Sequence, residues 1–228
     1  AENDTIFAGI GSDTIDGGSG DNDWLYYTDL ASTNVSVNLR NNTATYGSST
    51  DSITAIEHLK MGNGINTVQG NSYANSFIGG TGTDTLSYSE AASGVTVNVT
   101  SAGAGTSSGD GADTFSGFEH YTLSGNADTI NLGVVHNGSI INGGDGIDTA
   151  SYANVVTALT VTVANGNTSA TVSDGTNSNT LQSIEKIIGG DGNDTFIVSN
   201  ATGLDTLVTG LDTLDGDGGT NTLQLSGT

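Results

Sequence analysis

Residues 79–87 read Gly79-Gly80-Thr81-Gly82-Thr83-Asp84-Thr85-Leu86-Ser87, and residues 189–197 read Gly189-Gly190-Asp191-Gly192-Asn193-Asp194-Thr195-Phe196-Ile197. Both place glycine at positions one, two and four, Asp at six, Thr at seven and a large apolar residue at eight. Looser copies begin at Ala8, Met61, Gly70, Ser108, Gly143 and Gly216. The step is nine residues: Asp4-Thr5-Ile6, Asp13-Thr14-Ile15 and Asn22-Asp23-Trp24 follow it. So do Glu57, Asn66, Asn75 and Asp84, each with an apolar residue two positions on (Leu59, Val68, Phe77, Leu86). Glu119 with Asp128, Glu185 with Asp194 and Asp212 with Asn221 repeat the spacing. A helical period of 3.6 produces none of these spacings.

A longer period lies over the short one. Gly17-Gly18-Ser19-Gly20 returns as Gly79-Gly80-Thr81-Gly82 and as Gly143-Gly144-Asp145-Gly146. Tyr26, Tyr88 and Tyr152 follow at one offset, expected as wedges at a strand end. Next come the alternating runs Val35-Ser36-Val37-Asn38-Leu39, Val95-Thr96-Val97-Asn98-Val99 and Leu159-Thr160-Val161-Thr162-Val163, then Asp51, Asp113 or Asn179 six residues before Glu57, Glu119 or Glu185. The diglycines at 17 and 79 are 62 apart and those at 79 and 143 are 64 apart, but the gap to Gly189 is 46. The loss of 18 residues is two whole steps, which a stacked coil explains and a linker does not. These marks divide 1–228 into units 17–78, 79–142 and 143–188, with partial units 1–16 and 189–228, as one continuous array.

Each step reads as a Gly-rich turn and a very short strand with one residue facing inward. One step cannot bury that residue alone, whereas stacked steps place each apolar side chain on its counterpart about 4.8 Å away. The expected core ladder includes Ile6, Ile15, Val68, Phe77, Leu86, Phe115, Ile130, Ile187, Phe196, Leu214 and Leu223, with Trp24 as an expanded core residue or end cap. The alternating runs predict longer strands with Ser, Thr and Asn outward. No segment has the pattern of an amphipathic helix. The expected fold is all-β: a parallel β-roll or β-solenoid with longer strands inserted in units of about 62 residues.

Lys+Arg number 3 against 25 Asp+Glu, a formal net charge of -22. A surface with only Arg40, Lys60 and Lys186 as cations is unsuited to nucleic acid. No apolar run reaches the roughly 20 residues of a membrane span, and no secretory signal pattern is present. With 0 Cys there are no disulfides or thiolate zinc sites. Gly is 35 of 228 residues and Leu, Ile, Val and Phe together 50, near the boundary below which a charged chain stays unfolded. A group that neutralises acid charge decides on which side the chain falls.

The nonapeptides resemble the haemolysin-type calcium-binding repeats of RTX proteins. The longer unit is similar to extended modules of large secreted bacterial surface proteins. That resemblance implies a right-handed parallel β-roll with several Ca2+ ions in its turns, held by glycine-flanked carbonyls and the Asp at position six. The motif match nominates Asp13, Asp84, Asp113, Asp148 and Asp194 at position six, and Asp110, Asp145 and Asp191 as second acids of Asp-Gly-x-Asp. Asp4, Asp23 and Asp128 join them. Nine-residue spacing adds Glu57, Glu119 and Glu185, whose longer side chains reach a neighbouring coil. Asn22, Asn66, Asn75 and Asn221 stand where Asp is expected, which predicts empty or asparagine-stacked turns there. Roughly six to nine dications would offset most of the charge.

His58, His120 and His136 read as solvated groups rather than zinc ligands, since Lys186 takes the equivalent slot in the third unit. Gly105-Thr106-Ser107-Ser108-Gly109 fits G-x-S-x-G without the strand-to-helix context a nucleophile elbow needs. The expected function is a non-catalytic, calcium-rigidified structural module of a secreted surface protein, of S-layer or extracellular filament type. An adhesin segment, or the secretion and folding module of an exported enzyme, are the alternatives. Glu2-Asn3-Asp4-Thr5-Ile6 at one end and Leu223-Gln224-Leu225-Ser226-Gly227-Thr228 at the other join as a further repeat, so self-association or contact with neighbouring segments is expected. The resemblance also implies one-step (type I) export to the cell surface, with folding triggered by calcium outside.

Overall fold

A computed structural model describes residues 2–30, 32–101, 103–163, 169–199 and 213–226. Asp212 of the nine-residue ladder lies outside these. Among the described residues the chain forms 24 strands and one short 3-10 turn at Thr28–Leu30. The strands make two sheets, of 11 and 13 strands. Consecutive steps alternate between the sheets, so one coil takes two steps. Thus Thr67 pairs in parallel with Thr85 in one sheet, and His58 with Ser76 in the other.

The core lies between the sheets and is built one residue per rung. In the 11-stranded sheet Leu25, Leu59, Phe77 and Phe115 stack in register, and Val97, Ile130, Ala150 and Ile187 continue the column. In the other sheet Val37, Val68, Leu86, Tyr121, Ile141 and Leu181 do the same. All of these are buried. Burying one such side chain contributes about 1.5–3 kcal/mol, while ordering each residue of its step costs about 1–2 kcal/mol of backbone entropy. No step stands alone, and only stacking makes the coil stable. The expected core holds except toward the ends: Ile6 and Leu214 are partly buried, and Leu223 is 59% exposed.

The alternating runs do more than lengthen strands. Each opens a three-stranded antiparallel meander inserted into one sheet: Ser36–Asn38, Thr43–Tyr46 and Ser49–Thr54; Thr96–Ser101, Ala104–Ser108 and Thr114–Ser116; Thr160–Val163, Ser169–Ser173 and Ser178–Gln182. The first strand of each meander lies beside the following coil and the last against the preceding one, so the chain skips ahead and fills back. The meanders fall in the 13-, the 11- and again the 13-stranded sheet. The 18 residues missing from the third unit are one coil, the counterpart of Thr129–Leu132 and Ser139–Asn142 in the second.

Three expectations need correction. The first unit has one more residue between its diglycine and its acid than the other two, so Asp23, not Asn22, matches Asp84 and Asp148. For the same reason Tyr27, not Tyr26, matches the fully buried Tyr88 and Tyr152. Tyr26 and Trp24 face outward. Phe7 and Trp24 both pack edge-on to Tyr26, with ring centroids 5.0 and 5.8 Å away, and Lys60 sits 5.5 Å over the Tyr26 ring. Trp24 is therefore neither core nor end cap.

Candidate metal centre

The residue at position six ends the turn and precedes the strand, so these residues stack along both edges of the roll. At Asp23, Asp84 and Asp148 a side-chain oxygen accepts the backbone N–H of the residue one coil earlier. Asp23 Oδ1 accepts from Asp4 at 2.6 Å, Asp84 Oδ1 from Asn66 at 2.7 Å and Asp148 Oδ1 from Asp128 at 2.8 Å. Asp23, Asp84 and Asp148 in turn donate their own N–H to Glu57, Glu119 and Glu185 Oε2 at 3.0, 2.8 and 2.8 Å. The longer glutamate reaches across a coil boundary where a meander has been inserted on the opposite sheet. Three Asp–Glu rungs of one design result, Asp23–Glu57, Asp84–Glu119 and Asp148–Glu185.

These three aspartates share a further property. Each is 0% exposed, and the Oδ2 of each is buried without a hydrogen-bond partner. A buried carboxylate oxygen lacking a donor is costly unless a cation meets it. Burial pushes Asp84 up to about 6 and Asp148 to about 7. Beside each aspartate the first glycine of the turn is pressed against a carbonyl from the next coil. A Cβ on Gly17, Gly79 or Gly143 would lie 1.9, 2.0 or 2.0 Å from the oxygen of Ala55, Gly117 or Ser183. Those three residues stand two positions before the glutamates and all have positive φ, at 50, 73 and 48°. The left-handed turn thus recurs in all three units. Sequence reading missed it, because Ala, Gly and Ser share no chemistry beyond small size.

The donor set is oxygen only: an aspartate, a glutamate and backbone carbonyls. That suits a hard cation such as Ca2+, which takes six to eight oxygens. No group of three or more His, Asp or Glu side chains able to hold an ion converges among the described residues, so carbonyls must complete any such site.

Four nominated acids are satisfied by the protein itself. Asp110 is buried and paired with Arg40 at 2.5 Å. Asp113 accepts from the Tyr88 and Ser107 hydroxyls at 2.8 and 3.0 Å and from Asn75 N–H at 2.9 Å. Asp128 takes Ser124 N–H and Oγ and Val95 N–H. Asp194 takes Gly190 and Leu159 N–H. These hold turns and meanders to the roll, a role the motif alone cannot distinguish from ligation. Asp4, Asp145 and Asp191 lie on the surface and Asp13 is half-buried.

The Asp51, Asp113 and Asn179 positions serve the tyrosines. Tyr27 OH donates to Asp51 Oδ2 at 3.0 Å, Tyr88 OH to Asp113, and Asn179 Nδ2 donates to Tyr152 OH at 3.1 Å. Burial drives all three phenols well above their usual range. Ser107 of the G-x-S-x-G stretch lies on a meander strand inside this network. His58 packs on Trp24 with ring centroids 4.9 Å apart and contacts Asn22, and His120 Nδ1 accepts Ile140 N–H at 2.9 Å. Burial lowers both imidazole pKa values.

A family model of the RTX calcium-binding nonapeptide repeat, in four copies, matches residues 1–23, 62–90 and 184–199. Those segments are RTX calcium-binding repeats. The matched segments include Asp23, Asp84 and Glu185 from the three rungs. No curated protein matches the chain.

Proposed function

We propose that this β-roll is a non-catalytic structural segment of a larger secreted bacterial surface protein, of S-layer or filament type, made rigid by Ca2+ bound at its Asp–Glu rungs. One observation carries this reading: the threefold recurrence of a buried aspartate with an unpartnered Oδ2, a glutamate from the next coil and a left-handed carbonyl at the same turn. Asp23, Asp84 and Asp148 hold the ions, with Glu57, Glu119 and Glu185 and the carbonyls of Ala55, Gly117 and Ser183 completing the sites. The ion supplies positive charge where the fold has gathered negative charge. Metal binding of this kind is folding free energy. At the roughly 10⁻⁴–10⁻³ M affinities of extracellular modules, the segment stays loose during export and rigidifies outside. Circular dichroism and thermal melts of the chain in chelator and in millimolar calcium test this. A gain of β signal and of Tm with calcium is expected, and identical curves would sink the reading.

A second reading, adhesion, is favoured by the outward aromatic cluster of Phe7, Trp24, Tyr26 and His58. It breaks an outer face that elsewhere carries mainly Ser, Thr and Asn. Glycan-array binding lost on Trp24→Ala, with the calcium response unchanged, would support it.

A further inference from the structure

We propose that Asn66 is an intramolecular substitute for the cation of its turn, closing one rung of the roll without calcium. The proposal rests on the calcium reading of the other rungs.

Asn66 occupies position six one coil before Asp84 and is, like it, 0% exposed. Its Oδ1 does what Asp84 Oδ1 does, accepting a backbone N–H, here from Val35 at 3.1 Å. Its other terminal atom differs. Asn66 Nδ2 donates toward three converging carbonyl oxygens, those of Gly62 at 3.3 Å, Gly64 at 3.0 Å and Gly79 at 3.3 Å. In the next coil Gly80 and Gly82 stack on Gly62 and Gly64, with a Cβ on either falling 2.1 or 2.2 Å from the carbonyl oxygen below. They hold the same places in the Asp84 turn, where the terminal atom is an oxygen with no donor.

Asp and Asn have the same shape, so one atom decides the chemistry. An oxygen brings negative charge toward carbonyl dipoles that already point their negative ends inward, and needs a cation between them. An amide nitrogen brings two hydrogens to the same dipoles and needs none. Asn66 also donates its backbone N–H to Asp84 Oδ1, so the ion-free rung orients the neighbouring aspartate before any ion arrives. The coil carrying Asn66 is the calcium-independent nucleus from which the Asp–Glu rungs order.

The test counts Ca2+ bound to the whole chain by native mass spectrometry and isothermal titration, for the parent, Asn66→Asp and Asn66→Ala. Asn66→Asp is expected to bind one more ion than the parent, to lose Tm in chelator and to recover it in millimolar calcium. Asn66→Ala is expected to keep the parent's ion count and to lose Tm equally in both conditions. Hydrogen exchange of the parent in chelator should leave the amides of Thr67–Gln69 protected while those of Trp24–Tyr26 exchange. An unchanged ion count in Asn66→Asp, or the reverse order of protection, overturns the proposal and leaves the calcium reading intact. A parent chain that takes up no calcium overturns both.

Discussion

Ala55 and Ser183 hold left-handed backbone that the second unit gives to Gly117. For a residue with a Cβ this conformation costs about 1–2 kcal/mol, partly offset by the entropy a glycine would lose on folding. Ala55→Gly and Ser183→Gly are therefore expected to stabilise the protein by up to about 1 kcal/mol in denaturant titrations. Gly117→Ala should destabilise by about 1 kcal/mol or more, because its Cβ would also press within 3.2 Å of Gly80 O. The tyrosines give a second residue-scale contrast. Tyr88→Phe strips a donor from a buried carboxylate that keeps Ser107 and Asn75, a loss of about 1–3 kcal/mol. Tyr152→Phe removes only a neutral contact with Asn179 and should cost about 1 kcal/mol or less. Equal losses in the two variants would mean that the Asp113 charge does not matter.

At the scale of elements, the meanders are tied to one another as well as to the roll. Arg40, just after the first strand of the first meander, reaches Asp110, which follows the middle strand of the second. The pair is unequal, with the Asp110 side chain 5% and the Arg40 side chain 27% exposed. Arg40→Gln is expected to cost about 1–3 kcal/mol, less than breaking a fully buried pair because solvent screens the arginine. Urea melts of Arg40→Gln, Asp110→Asn and the double variant measure the coupling, and strict additivity would show that the contact is idle.

The meanders also mark the limit of what the sequence discloses. Nine-residue spacing places the stacked rungs, the inward residues and even the deleted coil, because one apolar residue per step has one place to go. The antiparallel returns at Thr43–Tyr46, Ala104–Ser108 and Ser169–Ser173 lie between motifs and carry no period of their own. The site was legible as acids at fixed spacing. Which acids find protein partners was not, since Arg40 meets Asp110, and Ser107 and Tyr88 meet Asp113, only after the meander folds back. The register slip at Asn22 has a similar cause: one extra turn residue is invisible when Asn and Asp stand side by side.

For the whole molecule, pH and calcium oppose each other. Asp84, Asp113 and Asp148 are raised by burial from 3.8 to about 6, 6 and 7 in the metal-free fold. Between pH 4 and about 7 the folded chain then binds more protons than the unfolded one, so stability falls as pH rises through that window. The formal charge of -22 pushes the same way. In chelator the protein is expected to be more stable at pH 4.5 than at pH 7.5. In saturating calcium, which binds the ionised form, the order should reverse. Denaturant midpoints in the four conditions decide it, and a chelated protein that gains stability toward pH 7.5 would contradict the burial of these acids.

Because the insertions change sheets from unit to unit, the two sides of the roll differ, among the described residues, by two strands, 13 against 11. At about 4.8 Å per strand that is close to 10 Å of contour. A longer side forces curvature, which the next insertion on the opposite side cancels. Arrays with an even number of insertions should thus run nearly straight and odd-numbered ones arc, a parity effect that small-angle scattering of tandem arrays would register.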